Sequence, residues 1–529
     1  MQSKFTRRHS ERGAVLIIAM VFVLLFSTLA VSLCSIASSN TQIAGNQRKV
    51  NSALYAAQSG LECAKRIALT TNIGISTASN QVTEAQANTA WTNFCSSVPA
   101  LDGQAFGSIT AFTDTDGRSG QEIVTGPINF GATNVTFRLR FFRYDDEPMV
   151  IMFESVGSNN EITRTIQMDM AITKENSVMQ YAIASRGRMW VTGDSTIDGD
   201  IYSSWDRPEL SPFDITADSR IEGTINTVLT KEEIESDHPY PYDDYQFEDI
   251  NDPDCVIRGY NEGINYGVHD QTAMPGMEIS DYDTDGYDSS LYTLPYSGTV
   301  IREYFPHAPS DLGGYTQPRD YGSVALNRNV YDGMTLNNVK VAYSRNALFR
   351  NCTFEGVLYI DCYKSGTSYY NNIRFEDCTF NGIIVTDVPQ VLNWQRNCLY
   401  FTGGATFNNE SAYQEATILA PHFNVNLGNT NPEQSDNNVL TGAIVGGIVD
   451  IRGNAQINGT VISMCDTTIY SSGYVTNIGA TLGDGGSETT ELGDIGTIGI
   501  TPNPDQLLPS GITTPIVIKP DLKTYSEGV

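Results

Sequence analysis

Gly13-Ala14-Val15-Leu16-Ile17-Ile18-Ala19-Met20-Val21-Phe22-Val23-Leu24-Leu25-Phe26 opens the stretch around which this chain of 529 residues is organised. No charged residue occurs from Gly13 to Gln47, and only Ser27, Thr28, Ser32 and Ser35 interrupt the apolar run from Ala14 to Ala37. A bilayer core of ~30 Å needs about 20 apolar residues in a helix, so this run is long enough to span. Lys4, Arg7, Arg8 and Arg12 precede it, which keeps the short N-terminus in the cytoplasm and exports the rest. The helical pattern outlasts the apolar run. Ile43, Val50, Leu54, Ala57, Leu61, Ala64, Ile67 and Ala68 recur at helical spacing and define one face of an amphipathic helix. A helix from Ala14 to Ala68 would be roughly 80 Å long, half in lipid and half outside. A cleaved secretory signal has a shorter apolar core, and a simple single-span anchor does not require the patterned extension.

Two motifs flank this stretch. Arg12-Gly13 before Ala14-Val15-Leu16-Ile17-Ile18 resembles a prepilin leader, which implies cleavage between Gly13 and Ala14 by a prepilin peptidase. Ala44-Gly45-Asn46-Gln47-Arg48, Ala53 and Ala56-Ala57-Gln58-Ser59-Gly60-Leu61-Glu62 resemble the N-terminal region of PilX-type minor pilins. The resemblance covers about 65 residues. The fifth mature residue, where major pilins carry Glu, is Ile18, and the family's Ala-Ala-Glu reads Ala56-Ala57-Gln58. The first departure suits a minor pilin better than a repeating subunit, and the second departs from the family's own pattern. The resemblance implies a single-pass inner-membrane protein whose partners are other pilins and pilus assembly proteins.

The net charge of −29 is unevenly spread: residues 1–66 carry +6, which leaves −35 on the remainder. Such an acidic exterior excludes nucleic acid as a partner and disfavours anionic lipid headgroups. Nine cysteines are present, of which Cys34 lies in the membrane helix. Eight in an exported portion permit disulfides without defining connectivity. Cys63 with Cys95 is the first candidate, because it would tie the helix end to the next domain.

The fold expected is α+β followed by all-β. Residues 1–13 are the leader and 14–69 the long helix. Residues 70–175 form a pilin-like head, with 70–125 read as loop and short helix. Strands are expected at Val135–Phe142, Met149–Val156 and Glu161–Ile172, with a hairpin turn at Gly157-Ser158-Asn159-Asn160. Ser155-Val156-Gly157 and Arg164-Thr165-Ile166 resemble the strand pair of minor pilin heads. Beyond residue 176 a short motif, apolar-x-Gly-x-apolar, recurs at Ile197–Ile201, Ile221–Ile225, Phe354–Leu358, Phe380–Ile384, Leu440–Ile444 and Ile457–Val461. Self-similarity of strand-sized apolar pieces predicts a right-handed parallel β-helix over 176–500 with loops inserted in its coils. Ala420-Pro421 through Val445 resembles the β-helix domains attached to some PilX-type proteins. Ser195, Ser219, Cys352, Cys378 and Ala455 precede the motif by two residues and share its inward face. Cys352 and Cys378 thereby read as a stacked core column rather than a disulfide or metal pair. The residue before each Gly is Asp198, Glu222, Glu355, Asn381, Thr441 or Asn458, a solvated turn position that favours such side chains.

The insertion at 230–320 is strongly acidic and rich in Tyr. Within it, Asp281-Tyr282-Asp283-Thr284-Asp285-Gly286-Tyr287-Asp288-Ser289 has the opening of a calcium loop, with oxygen ligands at Asp281, Asp283, Asp285, Tyr287 and Ser289 and Gly at the sixth place. The twelfth position is Tyr292 where such loops carry Glu. Residues 501–529 read as a Pro-rich C-terminal tail. Three functions fit: a minor pilin-like structural or surface-contact subunit, a membrane-tethered polysaccharide lyase or hydrolase, and a calcium-dependent adhesin displayed by a pilus. The first is favoured, with surface polysaccharide as a contact partner. None of the five His stands at a metal-ligand spacing from another, and no phosphate loop or Gly-x-Ser-x-Gly occurs.

Overall fold

The computed structural model describes residues 8–528 apart from 161, 192–194, 209–211, 216–217, 237–256, 258, 269–273, 305–324, 365–370, 391–396, 403–404, 409–412, 414, 428–437, 452–454, 465–474 and 480–497. Helix α1 runs unbroken over Arg8–Thr70. No Pro occurs before residue 99, so nothing in the stretch kinks it. Large apolar side chains from Val15 to Ile36 are all solvent-facing, as befits a segment whose solvent is lipid. Burial begins at Ala53 and continues through Ala56, Ala57, Leu61, Ala64, Ile67 and Ala68. The observed face is narrower than the periodicity predicts, since Ile43 stays 61% exposed and Leu54 is half-buried. Small residues set its centre. A Cβ on Gly60 would overlap the Ser155 hydroxyl, and one on Gly157 would overlap the Ala53 carbonyl and the Ala57 backbone nitrogen. Helix and sheet backbones meet closely only because these two positions lack side chains.

Two compact units form, one of residues 1–73, 83–173 and 517–529, the other of residues 74–82 and 174–516. The first is the head. Its antiparallel sheet places Ile162–Lys174, Val150–Asn159, Ala132–Tyr144, Ser119–Val124 and Thr110–Thr113 side by side. The three expected strands are present and longer than read. Asn159 pairs with Ile162, so the hairpin reverses after Asn159, with Asn160 at φ 54, and Gly157 is a strand residue. Helix α2, Glu84–Ser97, starts at a Thr83–Gln86 capping box and buries Ala87, Ala90, Trp91 and Phe94. Thr110–Thr113 and Ser119–Val124 fall where loop was expected; the first is mostly exposed, and neither has an apolar alternation. The tail also differs. Thr514–Gly528 is a strand of this sheet, adjacent to Ile162–Lys174, and the Asp169 backbone N donates to Thr524 Oγ1 at 2.8 Å. Residues 174–516 are therefore inserted, in sequence, between two neighbouring head strands.

The second unit is a large, mostly parallel sheet in which equivalent residues of successive repeats lie in register. Leu336 pairs with Phe354, Phe354 with Phe380 and Phe380 with Phe407. The Phe354 and Phe380 rings stack at 5.1 Å and 4°, and Phe380 on Phe407 at 4.9 Å and 16°. Arg350 pairs with Glu376 at 3.2 Å, as that register requires. The repeat glycines share one corner, where a Cβ on Gly382 would overlap the Gly356 carbonyl, one on Gly459 the Gly442 carbonyl, and one on Gly223 the Gly199 backbone. Ser195, Ser219, Cys352, Cys378 and Ala455 are all buried, as strand alternation predicts.

The order of strands in space is not the order in sequence. Thr335–Val341, Thr353–Ile360, Ile383–Thr386, Ala416–Leu427, Ala443–Ile451 and Val461–Ser463 follow one another. Val461–Ser463 then pairs with Ile183–Ser185, which continues to Ile201–Ser203 and Ile225–Thr227. The seam recurs at Val475–Ile478 against Arg188–Val191 and at Ile500 against Ile197. The first strands of the unit are thus interior ones, with the last strands stacked on them.

Candidate functional site

The Asp281–Ser289 segment lies across the outward side of the parallel sheet, held by one-turn 3-10 helices at Ile279–Asp281 and Asp285–Tyr287. Asp281 Oδ2 accepts from the backbone N of Gly276 at 2.9 Å and of Glu278 at 3.2 Å. Asp283 Oδ1 accepts from the Asp285 N at 3.2 Å, and the Asp283 N donates to the Gly511 carbonyl at 2.7 Å. Asp285 Oδ1 accepts from Lys364 Nζ at 2.8 Å. The Tyr287 N donates back to the Thr284 carbonyl at 3.0 Å, and burial pushes the Tyr287 hydroxyl up to about 12. Ser289 donates to the Gly286 carbonyl at 3.3 Å.

These partners answer the calcium expectation. Asp281, Asp283, Asp285, Tyr287 and Ser289 do not share a centre, and among the described residues no three His, Cys, Asp or Glu side chains gather at metal-binding range. Gly286 lies inside a 3-10 turn rather than at a left-handed corner, so alternate side chains diverge instead of wrapping an ion. Lysines supply the positive charge. Lys364 bridges Asp285 and Asp387, the latter at 3.0 Å with its side chain 4% exposed. Burial raises the Asp387 carboxyl above its ordinary range, against the opposing pull of Lys364 and the Val388 N–H. Lys340 bridges Asp288 at 2.6 Å and Asp361 at 3.3 Å. Between them the Thr284 hydroxyl donates to the Thr386 carbonyl at 2.7 Å, fully buried. The segment is a strap, with Asp285 and Asp288 tied to lysines and Asp281 to backbone N–H groups.

A second arrangement on the same unit went unread in the sequence. Thr335, Thr353, Thr379 and Thr406 form one in-register column. Beside it stand Asn337 paired with Glu355, and Asn381, whose Oδ1 accepts from Asn408 Nδ2 at 3.2 Å. The residues between the columns, Leu336, Phe354, Phe380 and Phe407, are buried, so both columns face outward. Neighbouring strands are about 4.7–4.9 Å apart, so the surface offers a hydroxyl and an amide, or at Glu355 a carboxylate, at each such step. The signal was legible as Thr-Leu-Asn, Thr-Phe-Glu, Thr-Phe-Asn and Thr-Phe-Asn at 335–337, 353–355, 379–381 and 406–408.

At the other end of the chain, the Gly13–Ala14 peptide lies within α1. Cys63 and Cys95, the first candidate pair, are free thiols in this structure, as are Cys352 and Cys378. Their surroundings differ: Cys63 lies near Glu62 and Arg66 of its own helix, whereas Cys95 faces Arg143 and is pushed up to about 12 by burial.

The model of the PilX N-terminal family matches residues 12–62, the span that contains the leader end, the apolar run and the Ala53–Gly60 contact face. Residues 12–62 are thus similar to the N-terminal region of PilX proteins. The apolar helix is of the kind by which pilins are anchored in the membrane before assembly, and pilins as a rule are structural rather than enzymatic. No curated protein matches the sequence. Among solved structures, the competence-associated pilin ComZ from Thermus thermophilus matches over 91% of this chain and 98% of that chain, at 12% identity and a TM-score of 0.28.

Proposed function

We propose that this protein is a minor pilin-like subunit of a type IV pilus or related filament, anchored by α1 and carrying residues 174–516 as an exported surface-contact unit. One observation carries the reading. The helix that is bare and apolar over Val15–Ile36 continues without a break into the Ala53–Ala68 face that packs on the head sheet. A plain anchor has no use for that rigid junction, whereas a subunit that leaves the lipid to join other helices does. Other pilins and the assembly machinery are then the partners of the bare segment, and a prepilin peptidase acts at Gly13–Ala14. The parallel unit is a right-handed β-helix in this reading. Filaments sheared from cells and sedimented are expected to contain the protein, and deletion of Leu24 to Ala37, which shortens the bare segment, is expected to remove it from that fraction. Recovery only in the membrane fraction in both cases would overturn the assignment.

The Thr and Asn columns favour a contact with an extended neutral glycan. Apart from Glu355, their groups donate and accept at each strand without adding charge, and a net charge of −29 repels anionic polymers. With a soluble neutral β-glucan as probe, Thr379→Val is expected to weaken any binding by several-fold, one lost hydrogen bond being worth about 0.5–1.5 kcal/mol.

A further inference from the structure

Cys352 and Cys378 precede equivalent strands of adjacent repeats. Register pairs flank them on both sides with the same offset, Arg350 with Glu376 before and Thr353 with Thr379 after, so Cys352 lies opposite Cys378. The Thr379 N–H donates to the Cys352 carbonyl at 2.8 Å, which confirms that alignment at the cysteines themselves. Both side chains point into the core and are 1% exposed. Both are free thiols here: Cys352 Sγ reaches the Arg350 carbonyl at 3.3 Å and Cys378 Sγ the Phe349 carbonyl at 3.4 Å. Parallel neighbours stand about 4.7–4.9 Å apart, within the ~4.4–6.8 Å that a disulfide allows between Cα atoms. Cys398 is buried as well, but its register partners are Asn372 and Asn424.

We propose that Cys352 and Cys378 are a disulfide site, a covalent staple that joins two adjacent strands of the parallel unit beside the Gly356–Gly382 corner. The bond rests on the exported placement argued above, because disulfides persist in oxidising compartments. The oxidant is an oxidised dithiol carrier. The Cys352 thiolate attacks the carrier disulfide to give a mixed disulfide; the Cys378 sulfur, losing its proton, then displaces the carrier thiolate. The chain gives up two protons and two electrons, one S–S bond forms in it, and the carrier's S–S bond ends as two thiols. The two sulfurs can exchange these parts, either one attacking and the other resolving. With both sulfurs enclosed in the finished fold, exchange belongs to the stage when the repeats are still closing. Once formed, the bond is screened from reductants.

The test is peptide mapping by mass spectrometry without reductant, after alkylation in denaturant. The full chain, refolded in detergent with an oxidised and reduced glutathione couple, is expected to yield one linked pair of peptides containing Cys352 and Cys378. Recovery of both as alkylated thiols, or of either joined to another cysteine, would overturn the proposal. Thermal unfolding supplies an independent reading. Reductant is expected to lower the midpoint of the wild type more than that of the Cys352→Ala/Cys378→Ala double variant, and equal shifts would count against the staple. Mapping from acid-quenched cells separates the two premises: a bridge that forms on refolding yet is absent in cells speaks against export, not against the pairing.

Discussion

Gly157 shows how one missing side chain decides a domain. Its Cβ would enter the backbone of α1 at Ala53 and Ala57, where nothing flexible can yield. Gly157→Val is expected to destabilise the head by at least the ~1–3 kcal/mol typical of overpacking, seen as a lowered unfolding midpoint of the full chain in detergent. Gly45 is the control. It also lies in α1 but has open space around its Cβ position, so Gly45→Ala is expected to be neutral or stabilising by about 0.5–1 kcal/mol. Lys174 makes a prediction about pH. Burial alone lowers its pKa from 10.5 to about 8, while its ammonium donates to the Ser79 carbonyl at 3.0 Å. Between those two values the unfolded chain binds a proton that the folded chain does not, so stability rises with pH through that window. Wild type measured from pH 7 to 9.5 is expected to gain stability relative to Lys174→Met, with the difference shrinking as pH increases. A difference constant with pH would show that the buried lysine is not the source.

At the scale of elements, the strap is where the residue pattern and the observed contacts name different partners. Asp-x-Asp-x-Asp-Gly predicts convergence on an ion, but convergence needs a loop, and Ile279–Asp281 and Asp285–Tyr287 wind into 3-10 turns that aim the carboxylates apart. Lys364 lies 79 residues from Asp285 and Lys340 lies 52 from Asp288, so no local reading could have paired them. Lys364→Met leaves Asp387 buried without its cation. Breaking a wholly buried pair costs about 3–5 kcal/mol; Lys364 is 48% exposed, so a loss of roughly 1–2 kcal/mol is expected after solvent screening. Asp387→Asn in the same background should recover much of it, and calcium titration should give the same heats for wild type and Asp283→Ala. The N-terminal helix was the most legible element, because bilayer length and helical period are local properties. The C-terminal strand was the least. Its prolines, Pro515 and Pro520, argue for an extended tail when read alone; the sheet accepts Pro515 because Pro lacks only one donor and its carbonyl still accepts from the Glu175 N at 2.8 Å.

Across the parallel unit, the repeats were readable but their order was not. Phe354 with Phe380 is a nearest-neighbour pairing that a fixed period reveals. Val461 with Ile183 joins residues from opposite ends of the unit, and no period contains it. The Thr column has a different character: Thr353 and Thr379 lie three places before Gly356 and Gly382, and single outward polar residues carry no periodic apolar signal. The seam is testable by hydrogen exchange. Ile183 and Val461 are both fully buried, and a charge introduced by Ile183→Asp costs several kcal/mol if unpaired. Protection is expected to fall together at 201–203 and at 461–463. A loss confined to 201–203 would mean the strands are stacked in sequence order.

The measurement closest to the central claim is the mass of the N-terminal peptide of the protein recovered from cells that make a prepilin peptidase. The pilin reading predicts a mature chain beginning at Ala14, and an uncut chain when Gly13 is replaced by a bulky residue or the peptidase is absent. A mature chain that begins near Ser38, or cleavage indifferent to Gly13 and to the peptidase, would contradict it.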